Sequence, residues 1–191
     1  MKRILLLILC VIMAASSVSC KKPDSSAARE IAQPLIEASQ VLDALLYGEG
    51  LERSEDEKTG KYARVISDKY TSIQVIKDEM ALIYTPELCE IVINSTLKGS
   101  TNEHGTNYAR YIDLDGVMYM YENAKVYVPH PRKYDFDSLV AKDMTDLRLI
   151  VEINTYSADA DGNYSDTPEK VELKFLYDEG LSKWLLDTPT Y

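Results

Sequence analysis

The chain has 191 residues, with 21 basic and 31 acidic side chains and a formal charge of −10. A surface of that sign repels a phosphate backbone and carries no basic stripe to offset it, which excludes nucleic acid as a partner. The length suits one domain of about 150 residues beyond any leader, and three cysteines do not supply a disulfide framework.

The chain opens with Met1, Lys2 and Arg3, an apolar run from Ile4 to Ala15, and the small residues "AASSVS" before Cys20. Charged, apolar and small residues in that order form a secretory signal. The apolar run of 12 residues falls short of the roughly 20 that a membrane-spanning helix needs. The "VSC" at 18–20 resembles the lipobox of bacterial lipoproteins, in which the cysteine thiol receives diacylglycerol and becomes the mature amino terminus; Ser17 stands where that pattern usually has Leu. The resemblance implies a signal peptide over 1–19, lipidation at Cys20, and a protein exported and held by lipid to the outer face of the bacterial cytoplasmic membrane. Ordinary cleavage in the "AAS" region and a Cys20–Cys89 disulfide remain as alternatives. Lys2 and Arg3 leave with the signal, which takes the net charge from −10 to −12.

Residues 20–33 read as a lipidated cysteine and polar tether, whose thirteen residues Lys21–Gln33 reach at most about 45 Å. The domain is expected over 34–191. From Pro34, Leu35, Ala38, Leu42, Leu45 and Leu46 fall on one side of a helix that starts at Pro34 and stops at Gly48. The charged "LERSEDEKTGK" reads as an exposed loop, and "YARVISDKY" as a short extended piece. Thr71 or Ser72 can cap a second helix through Ile73, Ile76, Met80 and Ile83, and Thr85 caps a third that begins at Pro86. The period then changes to two. Asp115-Gly116 between aromatic and β-branched runs marks a hairpin. "DLRLIVEINTY", "KVELKFLYD" and "SKWLLD" follow as strands of a long antiparallel sheet. Helices first and strands last make the class α+β.

The order of a long first helix, "YARVISDKYTSIQVIKDEM", "YTPELCEIVI", the "DLDGVMYMY" hairpin and a closing "KWLLDTPTY" resembles the NTF2-like, cystatin-like domains of small Gram-positive lipoproteins. The resemblance spans about 34–191 and implies N-terminal helices packed on a curved antiparallel sheet that forms a cone. Many members hold a small molecule there, and fold alone assigns no chemistry.

Sharper motifs fail on spacing. Ser95 and Lys98 have the Ser-x-x-Lys interval of penicillin-recognising enzymes, but the "KTG" at 58–60 precedes them instead of following. "DADGNYSD" offers Asp159, Asp161, Asn163 and Asp166 to calcium, yet Gly162 and Lys170 do not fit an EF-hand loop. His104 and His130 are isolated, so no metal and no cofactor is expected. Asp113 and Asp115 beside the hairpin turn are the nearest acid or base candidates, and their simpler role is to shape that turn. Cys89 reads as a small apolar helix residue.

Tyrosine is the unusual residue: 14 of them against two Phe and one Trp, with Tyr108, Tyr111, Tyr119, Tyr121 and Tyr127 crowding the hairpin region. Such residues pack sheets, and they also make binding surfaces at low entropic cost. Tyr119, Tyr121, Tyr177 and Trp184 are the expected ligand residues. Trp184 and Leu186 should share the strand face that meets the helices. The expected function is non-catalytic binding of a small apolar molecule, a wall fragment or an envelope protein. An NTF2-like enzyme, or an inhibitor of a cell-wall hydrolase, is the alternative.

Overall fold

The computed structural model describes residues 24–102, 105–122, 132–159 and 162–190. Cys20, Lys21, Lys22, His104, Tyr127, His130 and Asp161 lie outside them. The elements, in chain order, are α1 (Ser25–Leu46), β1 (Arg53–Thr59), β2 (Tyr62–Val65), α2 (Ile73–Ile83), α3 (Pro86–Thr96), β3 (Ser100–Asn102) and β4 (Gly105–Asn107). They continue with β5 (Tyr111–Leu114), β6 (Val117–Tyr121), β7 (Arg132–Met144), β8 (Arg148–Ser157), β9 (Glu169–Asp178) and β10 (Lys183–Leu186). Helices and antiparallel sheets together make the fold α+β, and no helix among the described residues is long and apolar enough to cross a membrane.

Helix α1 begins nine residues earlier than its sequence suggests. Asp24 is its N-cap, accepting from Ser26 N–H at 2.9 Å, and Ala28 and Ala32 are fully enclosed by the core. Residues 25–33, expected in the tether, are therefore part of the folded unit. Pro34 sits inside the helix rather than at its start. It lies on the exposed side, where water can satisfy the Glu30 carbonyl that loses its donor. The buried stripe runs Ala28, Ala32, Ile36, Ser39, Leu42, Leu45 and Leu46, so it is centred on Ile36 and Ser39, while Leu35 and Ala38 sit partly buried at its margin.

Helix α2 is capped by Ser72, which accepts from Val75 N–H at 3.4 Å, and α3 by Thr85, which accepts from Leu88 N–H at 3.4 Å with Pro86 in the first turn. Asp113 adds a second cap to α2: both carboxylate oxygens lie 3.2 Å from Ile73 N–H, in keeping with the helix N-terminus attracting negative charge.

The strands fall into two four-stranded sheets and a short ribbon rather than one long sheet. The first sheet has the order β1-β2-β6-β5 and the second β10-β9-β8-β7, all antiparallel. The difference arises from β1, the charged stretch that reads as a loop. It pairs with β2 across Gly60-Lys61, with Thr59 opposite Tyr62 and Gly60 at φ 59°. Charge along an edge strand guards it against pairing with another chain. The Asp115-Gly116 turn joins β5 to β6 as expected, with both residues at positive φ (50° and 79°) and Leu114 opposite Val117, the signature of a type I′ hairpin.

In the second sheet the inner face is Leu149, Val151 and Ile153 on β8 against Phe175, Leu173 and Val171 on β9. This face joins α1 in the core. Leu186 continues it opposite Phe175, and Trp184 opposite Tyr177. Trp184 is thus on the helix-facing side, as its alternation predicts, but at the margin of the core and only half-buried.

Candidate functional site

The four expected ligand residues do not converge. They form two pairs on different sheets: Tyr119 and Tyr121 on β6 of the first, Tyr177 and Trp184 on β9 and β10 of the second. On β6 the alternation sends Met118 and Met120 into the core, 3% and 1% exposed, and turns Val117, Tyr119 and Tyr121 to the other face, half-buried. Tyr177 and Trp184 meet edge to face at 5.5 Å, and Trp184 packs on the core margin.

Tyr121 is the hub of a larger group. Its cross-strand partner Tyr62 lies 5.5 Å away, ring to ring, and Tyr108 stacks on it at 4.6 Å with planes 16° apart. The Tyr62 phenol donates to Ala109 O at 3.2 Å, and burial pushes its ionisation upward. Lys61 donates to the Tyr108 hydroxyl at 2.7 Å, a contact that raises the lysine's own pKa. Beside them Tyr119 stands between Arg64 on β2 and Ile112 on β5, and Arg64 pairs with Glu57 at 2.6 Å. Ile112, Leu114 and Val117 extend the same face, Leu114 being 44% exposed. Tyr62 and Tyr108 were not singled out as ligand residues by sequence; the β1–β2 hairpin that places Tyr62 here was hidden inside a charge run.

On the opposite face of β1 and β2, the side to which Ala63 and Met120 belong, a groove of about 1010 Å³ is lined by Glu49, Glu52, Glu55 and Asp56, by Arg53 and Lys58, and by Glu122 just past β6, which Lys58 pairs. A more apolar groove of about 400 Å³ lies between α2–α3 and β10, lined by Ala81, Tyr84, Pro86, Cys89, Ile93 and Leu185 among others. The Cys89 thiol there is pushed up by burial, opposite to what a nucleophilic thiolate needs.

One buried polar cluster has the look of acid–base machinery. Asp43 is partly buried, and desolvation pushes its carboxyl up to about 6 against the opposing pull of hydrogen bonds from Thr190 and Tyr84. Thr190 Oγ1 donates to it at 2.8 Å, and Tyr84 Oη approaches at 3.5 Å. Ser39 Oγ hydrogen-bonds both Thr190 Oγ1 and Tyr84 Oη, while Tyr134 donates to Thr190 O at 2.7 Å. The partners are hydroxyls and the chain's own C-terminal tail, so the cluster clasps that tail onto α1.

The other motifs take structural roles. Ser95 is bound to Val92 O and Tyr47 Oη, and Asp159 closes its loop by accepting from Asn163 N–H at 2.9 Å. No group of three His, Cys, Asp or Glu suited to a metal ion occurs among the described residues. Compared with known proteins, the chain matches no family model, and no curated protein is similar to it.

Proposed function

We propose that this is a lipid-anchored extracytoplasmic binding domain, NTF2-like in descent, that docks an envelope protein with a basic surface on the tyrosine face of its first sheet and performs no catalysis. The observation that carries the reading is the Tyr62–Tyr121–Tyr108 group on the outward side of β2 and β6. Half-buried phenols give rigid contact area with a hydroxyl each, at small entropic cost. The −12 charge that remains after signal removal favours a cationic partner and speeds its approach. The NTF2-like cone rests on the sequence resemblance, together with α1 lying across the inner face of the β7–β10 sheet.

A photo-reactive residue in place of Tyr119, in the full chain in its native envelope, should crosslink to one discrete basic protein. Crosslinks to lipid or glycan alone would overturn the protein partner, and metabolite turnover lost on Asp43→Asn would establish the enzyme instead. A small apolar ligand is the second reading, favoured by the groove between α2–α3 and β10.

A further inference from the structure

We propose that the end of the second sheet bearing the β7–β8 turn is a membrane-contact surface, resting on the bilayer with Leu147 and Leu181 at the interface. The inference rests on lipidation of Cys20 and adds to it an orientation of the whole domain.

The first support is the length of the leash. Because α1 begins at Ser25 and is packed into the core from Ala28 onward, only five peptide steps separate Cys20 from folded structure. Fully extended they span about 18 Å. Ser25 is itself fixed to the second sheet, its Oγ accepting from Ala141 N–H at 3.2 Å. Ala141 lies on β7 four residues before Thr145, which closes the β7–β8 turn by donating its N–H to Arg148 O at 2.8 Å, about 13 Å along the strand. A lipid on Cys20 therefore holds this end against the headgroups.

The second support is what that end exposes. Leu147 in the turn is 51% exposed, and Leu181 in the adjoining β9–β10 turn, brought alongside by Tyr177 N–H donating to Leu147 O, is 54%, apolar surface of the kind that settles at a membrane interface. Arg148 pairs with Asp143 here, while Asp146, Asp178 and Glu179 add negative charge beside the two leucines, so the contact is carried by the leucines and the short leash and not by charge. The acidic run is elsewhere. Glu49, Glu52, Glu55, Asp56 and Glu57 follow the far end of α1, whose 22 residues put it about 33 Å from the tethered end. That separation is several screening lengths, so the negative pole escapes repulsion by anionic lipid. Lys21 and Lys22 stand in sequence beside the anchor, where such lipid attracts them.

The test uses the full chain, processed in a bacterium and reconstituted into vesicles of phosphatidylglycerol and phosphatidylethanolamine containing a headgroup-nitroxide lipid. In a Cys89→Ser background, an environment-sensitive fluorophore is attached to Leu147→Cys or, separately, to Glu49→Cys, and the mass of the amino-terminal peptide is read in the same samples. The expected result is blue-shifted, quenched emission at position 147 and neither change at position 49. Diacylglycerol on Cys20 with an unquenched label at 147 overturns the contact surface and leaves the anchor standing. Equal quenching at both positions also overturns it, because the domain then lies flat. A blue shift without quenching also overturns it, because the label is then buried against the chain itself or a second copy and not against lipid. A Cys20 without lipid removes the foundation of both readings.

Discussion

Asp43 should weaken the fold at neutral pH, and its replacement by Asn should strengthen it. Its carboxyl is raised from 3.8 to about 6 in the folded chain, with desolvation as the leading cause. A group whose folded pKa exceeds its unfolded value costs stability wherever it must be ionised in the native state. The cost is fully present above about pH 6, shrinks as pH falls, and is gone below about pH 4. A rise from 3.8 to about 6 corresponds to about 3 kcal/mol. Asparagine resembles the protonated acid: its carbonyl accepts from Thr190, and the Tyr84 hydroxyl can reorient to take an amide proton. Urea unfolding of residues 21–191 is the assay, with wild type and Asp43→Asn compared between pH 4 and pH 7.5. The variant should gain about 1–3 kcal/mol at pH 7.5 and almost nothing at pH 4. Taking the difference between the two proteins removes groups such as Glu152, which shifts downward through its lysine partners. A variant less stable at pH 7.5 than at pH 4, relative to wild type, would refute the reasoning and make the ionised Asp43 a net support of the tail.

Three further outcomes follow from the same structure. Mass spectrometry of the protein from its native membrane should find diacylglycerol on Cys20, and a mature terminus at Ser16 or Ser17 would remove the anchor. Trp184→Ala should lower stability by about 2–3 kcal/mol, less than for a fully enclosed ring because Trp184 sits at the core margin; an unchanged denaturation midpoint would place it outside the core. Gly116→Ala should cost about 1 kcal/mol, since φ 79° at that turn position suits glycine, and a stabilised variant would mean that the turn relaxes to another type.

Local chemistry was the legible part of this sequence. Ser72, Thr85 and Asp115-Gly116 act within three or four residues of themselves, and each occupies the cap or turn its neighbours announce. The alternation of Leu149, Val151 and Ile153 likewise needs only a strand to express it. Two readings failed because a competing signal masked them. Pro34 looks like a helix start, while Asp24 with Ala28, Ala32 and Ile36 at four-residue intervals is the true one. The run Glu52–Lys61 is too charged to read as a strand, although its Gly60-Lys61 turn before Tyr62 carries the hairpin. The Asp43–Thr190 contact was not readable, since the partners are 147 residues apart and polar pairing leaves no periodic trace. For the same reason the ligand list held Tyr121 and missed Tyr62: cross-strand neighbours are set by sheet order, which periodicity does not encode.

The junction between α1 and the first sheet decides what the tyrosine face can do. The last turn of a helix leaves carbonyls without intrahelical donors, and here side chains of the segment leading into β5 supply them. Tyr111 donates its phenol to Leu45 O at 2.8 Å, and Arg110 donates Nη2–H to Gly48 O at 2.6 Å. Tyr47 adds a hydroxyl contact to Ser95 on α3 at 2.9 Å. Gly50 completes the joint at φ 78°, where a Cβ would come within 2.5 Å of both Arg110 Nη2 and Met120 Sδ. Tyr111 is fully buried, so its bond to Leu45 O is made away from water and is expensive to break. The sheet that carries Tyr62, Tyr119 and Tyr121 is therefore fixed to the same helix whose other end begins five residues after Cys20. Under the lipidation proposed for Cys20, a partner on that face would be met about a helix length beyond the leash.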